Sequence, residues 1–251
     1  MKIINPICIN LQKIKKDFED LNLYQKDEVI FFKRSTNFLK KIRDEKILPQ
    51  IIQEILSNSN YLTVIASNSY RHVNHFSKIV FINDFNNNHC RLTLHIWKPP
   101  FTEKQIKQEL IHDHRFSFSS LVISGIQIHE IFKESSGNIK NKIRYQKYKY
   151  VPSKTSNIHD CFFEKYVYLD KIGKKIINKN NIYSMKNHFI HRILFPTGNE
   201  PIISFLVRGP RKKKFTHTYN TFYPREGTVS SVPMYTPEEL KNLLQYTLNK
   251  I

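Results

Sequence analysis

The densest chemistry in the sequence lies in Ile111-His112-Asp113-His114-Arg115-Phe116. Side chains two apart in an extended strand share a face, so His112 and His114 can present two imidazoles to one point. Two such histidines plus one ligand from a distant strand leave open positions on a first-row transition metal, where substrate or dioxygen can bind. Asn187-His188-Phe189-Ile190-His191-Arg192 offers His188 or His191 as the third ligand. Tyr183 and His95 can also face a cavity. The alternation of Leu94-His95-Ile96 sets His95 opposite an aliphatic face, where a histidine usually serves structure. Trp97 reads as packing, and Asp113, between the paired histidines, as a surface carboxylate.

These residues need a scaffold of strands. From residue 61 onward short β-branched or alternating runs are separated by Asn, Gly and Pro signals. Ile79-Val80-Phe81-Ile82, the turn at residues 83–88 and Leu92-Thr93-Leu94-His95-Ile96-Trp97 predict a hairpin. Further strands are predicted over 120–132, 143–151, 162–169, 182–185 and 202–207, enough for a sandwich or small barrel. Before them, residues 11–57 carry apolar residues at helical spacing and predict two or three amphipathic helices. After them, Thr236-Pro237-Glu238-Glu239 supplies an N-cap, a proline for the first turn and a capping-box glutamate ahead of Leu240, Leu243 and Leu244. The expected division is a helical extension over 1–60, a β-barrel over 61–225 and a C-terminal helical segment over 226–251.

The spacing of the histidine segment resembles the first motif of the cupin superfamily: His-x-His, three residues, usually Glu, six residues, Gly. Here His112, His114, Phe118 and Gly125 stand at those positions. With Phe118 in the glutamate's place, the three-histidine cysteine dioxygenase branch is the nearer likeness, and Glu130-Ile131-Phe132 is similar to that branch's following strand. His191-Arg192-Ile193 resembles the text around its third ligand. The resemblance, over residues 61–214, implies a mainly β fold, a double-stranded β-helix or jelly-roll barrel, holding Fe(II) or another divalent transition metal on His112, His114 and His191, with His188 in reserve. Tyr70-Arg71-His72 is similar to the segment that supplies the branch's substrate-carboxylate arginine. The branch's cysteine–tyrosine pair is missing: Phe118 and Ser119 occupy the cysteine's region and Arg208 about the tyrosine's place.

Arg71, Arg115, Arg192 and Arg208 are the candidate substrate anchors, because guanidinium forks match carboxylate or phosphate bidentately. Arg115 and Arg192 have an alternative, a structural pair with Asp113 or Glu130. Arg208, at a strand end beside Gly-Pro, and Tyr183 are the catalytic candidates. The expected activity is a non-haem iron oxygenase using O2 on a small anionic or amino-acid-like substrate. The alternatives are a cupin isomerase or epimerase and a non-catalytic anion- or nucleic-acid-binding cupin. Nucleic acid is suggested by the formal net charge of +19 and by Arg211-Lys212-Lys213-Lys214 followed by Phe215, Tyr219 and Phe222. Yet of 40 Lys+Arg only ten are arginines, and the chain is rich in Asn and Ile with one alanine, Ala66, so coding bias explains most of the charge. No apolar run suggests a signal peptide or membrane span, and Cys8, Cys90 and Cys161 form no Cys-x-x-Cys pair. The cytoplasm is the expected compartment.

Overall fold

The computed structural model describes residues 11–23, 27–84, 90–137, 142–152, 159–221 and 233–251. Four helices come first: α1 (Leu11–Asp20), α2 (Glu28–Asp44), α3 (Ile47–Ser57) and α4 (Ser59–Ala66). Their buried residues recur every three or four positions, as Leu11, Ile14 and Phe18 in α1 and Phe31, Phe38, Leu39 and Ile42 in α2. Asp27 caps α2 by accepting from the Val29 N–H at 2.7 Å, and Asn58 caps α4. Helix therefore runs through Tyr61, past the point where the sequence texture turns to strand. Cys8 and Phe222 lie outside the described residues.

Twelve strands and two helices follow: β1 (Tyr70–Arg71), β2 (Ser77–Asp84), β3 (Cys90–Trp97), α5 (Glu103–Ile106), β4 (Ile111–His112), β5 (Phe116–Ser124), β6 (Gln127–Glu134), β7 (Arg144–Pro152), β8 (His159–Ile177), β9 (Ile182–Met185), β10 (Ile190–Ile193), β11 (Ile202–Arg211), β12 (Thr216–Asn220) and α6 (Pro237–Leu248). They form two antiparallel sheets. The first has the order β1-β2-β3-β11-β5-β9; the second runs β10-β4-β12-β7-β8-β6 and closes on itself through β10 and β6. The predicted hairpin is β2–β3. The capping box at Thr236 starts α6 as expected.

One face of the first sheet, with Leu92, Leu94, Ile96, Leu121, Phe205 and Val207, shares a continuous core with α1–α4 and α6. Docking is close: Gly209 lies against the Phe31 ring of α2, where a Cβ would stand 2.9 Å from ring carbons. Ser35 of α2 hydrogen-bonds Ser119 of β5 at 2.8 Å, and Ser119 bonds Ser184 of β9 at 2.7 Å. Because the helices take the aliphatic face, the alternate residues of the same strands must point between the sheets. Those residues include the polar Lys78, Arg91, Thr93, His95, Ser120, Ser204 and Arg208 beside the apolar Phe118, Val122 and Leu206, so the barrel interior is mixed.

Candidate metal centre

The His-x-His pair does not sit on one regular strand. His112 ends the two-residue β4, and His114 follows in the link to β5, where its backbone N–H donates to the Asn187 carbonyl at 3.0 Å. The extended backbone still turns both rings the same way, with centroids 4.8 Å apart. β10 pairs with β4 in the register His191↔His112, which brings the third ring to 4.8 Å from His112 and 5.0 Å from His114. One nitrogen from each of the three lies within 4.8 Å of the others. His188 is exposed and outside this group.

Protonation states follow from the partners. The Leu110 carbonyl can only accept, so His112 Nδ1 donates to it at 2.8 Å and Nε2 keeps its lone pair. His114 Nε2 and His191 Nε2 face each other at 2.8 Å. Burial, followed by repulsion from neighbouring imidazoles, holds His114 and His191 well below the ordinary histidine range; burial also lowers His112. Three neutral imidazoles are the donor set a divalent first-row ion requires, and metal–nitrogen bonds of about 2.0–2.1 Å place partner nitrogens on the scale seen between His114 and His191. Phe118 fills the position a glutamate would use, its ring 5.1 Å from His114.

Behind His191 stands a residue the sequence reading missed. His129 Nδ1 lies 3.0 Å from His191 Nδ1, the rings stack at 5.2 Å, and burial pushes its pKa down to about 3. The alternation in β6 placed it there: Gln127, His129 and Ile131 share the inward face, opposite Ile193 and His191 of β10. Tyr183 packs its ring 4.9 Å from His129 and donates its hydroxyl to Gln127 at 3.2 Å. Burial raises its pKa, so it is a neutral phenol one layer behind the histidines.

The arginines divide. Arg192 is the neighbour of His191 in β10, so it points to the opposite face, where it pairs with Glu130 at 2.6 Å. That pair is the structural alternative the sequence offered for Arg192. Arg71 on β1 is exposed. Arg208 is buried between the sheets, its guanidinium 4.8 Å over the Phe116 ring, and Arg115 is half-buried. Asp113 is not at the surface. It is 3% exposed, accepts from the His217 backbone N–H and ring at 2.8 Å each, and pairs with Lys213 at 3.0 Å. Two lysines of the basic run are thus committed internally, Lys213 to Asp113 and Lys212 to Glu28, and Tyr219 is buried. His95 is buried beside Phe76 and Trp97, with Thr93 Oγ1 at 3.2 Å from Nε2.

Two facing antiparallel sheets with a His-x-His pair and a third histidine on the inner face complete the architecture. The fold is mainly β, two facing antiparallel sheets with helices packed on the outer face of the first. Comparison with protein-family models and with curated proteins finds no match. Similar solved structures include a cupin-like protein from Thermotoga maritima (8% identity over 57% of this chain and 73% of that one, TM-score 0.30). A protein with a double-stranded β-helix domain from Klebsiella pneumoniae also matches (14%, 62% and 93%, 0.30), as does FeII HppE (7%, 53% and 49%, 0.29). No helix is long and apolar enough to cross a membrane among the described residues.

Proposed function

We propose that the protein is a metal-dependent cupin enzyme, a non-haem Fe(II) oxygenase that uses O2 on a small anionic or amino-acid-like substrate. The observation that carries this reading is the convergence of His112, His114 and His191 as neutral imidazoles, the group of possible metal ligands among the described residues being made of these three histidines. Bound there, Fe(II) would supply open coordination positions and the capacity to activate dioxygen.

The chain's own residues set the rest. The Leu110 carbonyl fixes the His112 tautomer, and His129 Nδ1, 3.0 Å from His191 Nδ1, orients the His191 ring. Phe116 and Phe118, with ring centroids 5.5 and 5.1 Å from His114, give the site an apolar wall. Arg208 and Arg115 supply positive charge toward which a carboxylate or phosphate group orients.

The test is metal analysis of protein loaded anaerobically with Fe(II), followed by oxygen uptake in a screen of amino acids, thiols and small organic acids. Near-stoichiometric iron and substrate-dependent oxygen consumption are expected. Failure to bind any transition metal overturns the reading.

A further inference from the structure

Between His112 and His114 the chain changes partner. His112 pairs with Thr218 of β12, and the Asp113 N–H donates to the His217 carbonyl at 3.1 Å. Residues directly opposite each other in an antiparallel ladder ordinarily exchange two backbone bonds where they are hydrogen-bonded. Here the returning His217 N–H donates to the Asp113 carboxylate at 2.8 Å, and the His217 ring Nδ1 donates to the same group at 2.8 Å. One residue later the His114 N–H leaves β12 and donates to the Asn187 carbonyl at 3.0 Å, in the link between β9 and β10. The two imidazoles stand on either side of a break in the ladder, and the Asp113 side chain spans that break.

The contacts behind this segment fall on residues 113, 115 and 117, alternate with the histidines, and one stretch of chain supplies them. Lys213 Nζ lies 3.0 Å from Asp113 Oδ2. The backbone N–H groups of Lys212 and Lys213 both donate to the Arg115 carbonyl, at 2.7 and 3.2 Å. Lys212 Nζ lies 2.9 Å from Glu28 Oε1, the oxygen that accepts from the Ser117 hydroxyl. Ser117 Oγ in turn accepts from the Asn187 N–H at 3.0 Å, so the residue whose carbonyl holds His114 is itself held from behind. Asp113, Ser117 and Asn187 are all buried. A buried carboxylate needs a counter-ion and filled hydrogen-bonding positions, and Lys213 and His217 supply both to Asp113.

We propose that residues 212–217 form a strap that sets the spacing of His112 and His114, with Asp113 and Ser117 as positioning residues and Lys213 and Lys212 as the cations that hold their carboxylate partners in place. Two lysines of the basic run thereby serve the inside of the molecule. Calling the histidines metal ligands rests on the metal-enzyme reading above; the strap itself concerns where the imidazoles stand and does not need the metal. Lys213 offers a clean separation, because its two effects on a bound dication have opposite signs. By charge alone, removing a neighbouring cation strengthens the binding of another cation. By positioning, releasing Asp113 relaxes the spacing of the two rings and weakens binding about tenfold, as the loss of a partner that orients ligands does.

The experiment compares full-length Lys213→Met, Ser117→Ala and Ser117→Thr with the parent, and takes Lys214→Met, at the exposed neighbouring position, as the control for charge. Co(II) affinity is read by chelator competition, ligand geometry by the visible d–d bands of the Co(II) protein, and imidazole positions in the metal-free protein by histidine-selective NMR. Lys213→Met and Ser117→Ala should each weaken Co(II) about tenfold, alter the d–d bands and move the His112 and His114 resonances. Ser117→Thr, which returns the hydroxyl, should recover affinity and spectrum, and Lys214→Met should bind Co(II) at least as tightly as the parent. Co(II) binding within about threefold of the parent in both Lys213→Met and Ser117→Ala, histidine resonances that stay in place in both, or equal weakening by Lys214→Met overturns the proposal. A loss that Ser117→Thr does not recover assigns Ser117 to packing and overturns its role. If Lys213→Met fails to fold, the Ser117 variants decide. A parent protein that binds no transition metal would overturn the oxygenase reading alone, and the metal-free histidine resonances would then decide the strap.

Discussion

Replacing His129 by leucine separates metal affinity from folding. Its Nδ1 meets His191 Nδ1 at 3.0 Å, while among the described residues its buried Nε2 has no hydrogen-bond partner. Deleting the ring removes that orphaned atom but strands His191 Nδ1, and each effect is worth about 1–3 kcal/mol with opposite sign. Leucine also keeps apolar contact with Tyr183, so the metal-free protein should keep its stability to within about 1–2 kcal/mol. Metal binding has no such cancellation. Loss of a partner that orients a ligating imidazole costs about 10–100-fold in affinity, roughly 1.4–2.7 kcal/mol. The assay is Co(II) competition against a chromophoric chelator, paired with urea unfolding of the metal-free variants. His129→Asn, which returns an acceptor near the Nδ1 position, should recover most of the loss. If His129→Leu binds Co(II) within threefold of the parent, the orienting role is refuted. A collapse of stability would instead assign the ring to packing.

The remaining predictions concern the ligands, a pH-sensitive pair and the motif glycine. His112→Ala, His114→Ala and His191→Ala should each lose metal by elemental analysis, while His188→Ala, at an exposed position, retains it; retention by the His191 variant refutes the assignment. Burial raises the Glu130 pKa, but hydrogen bonds and charge from Lys171 and Arg192 outweigh it and hold the carboxyl below its ordinary value. The sign follows: its stabilisation is full above the unfolded carboxylate range near pH 4.3 and is lost as pH falls through the lower folded value. Thermal melts from pH 6 to pH 2 should therefore flatten in Glu130→Gln, and an unchanged slope would remove Glu130 from the acid response. Gly125 has φ +75°, and a Cβ there would stand 2.6 Å from the Pro201 carbonyl, so Gly125→Ala should cost more than about 1 kcal/mol in urea unfolding.

Periodicity and spacing were enough for much of the fold. The three- and four-residue recurrence in α1–α3, the alternation in β3 and the Thr236 capping box are local patterns, and each element formed where its pattern stood. The proximity of His112 and His114 was legible for the same reason, since two residues of extended chain cannot separate their rings far. Which distant histidine joins them was not local. It was decided when β10 paired with β4 in one register, turning His191 inward, Arg192 outward to Glu130, and leaving His188 exposed.

The structure alone also set the surroundings of the site. His129 faces His191 because β6 and β10 are neighbours, and Asp113 is buried because β12 brings His217 across to it. The charge of +19 shows the division most plainly. Composition gives its size, but a sequence carries no information on which cations share a face until strands far apart in the chain are paired. Pairing β3 with β11 sets Arg91 opposite Arg208, while the helices on the other face take the aliphatic side chains.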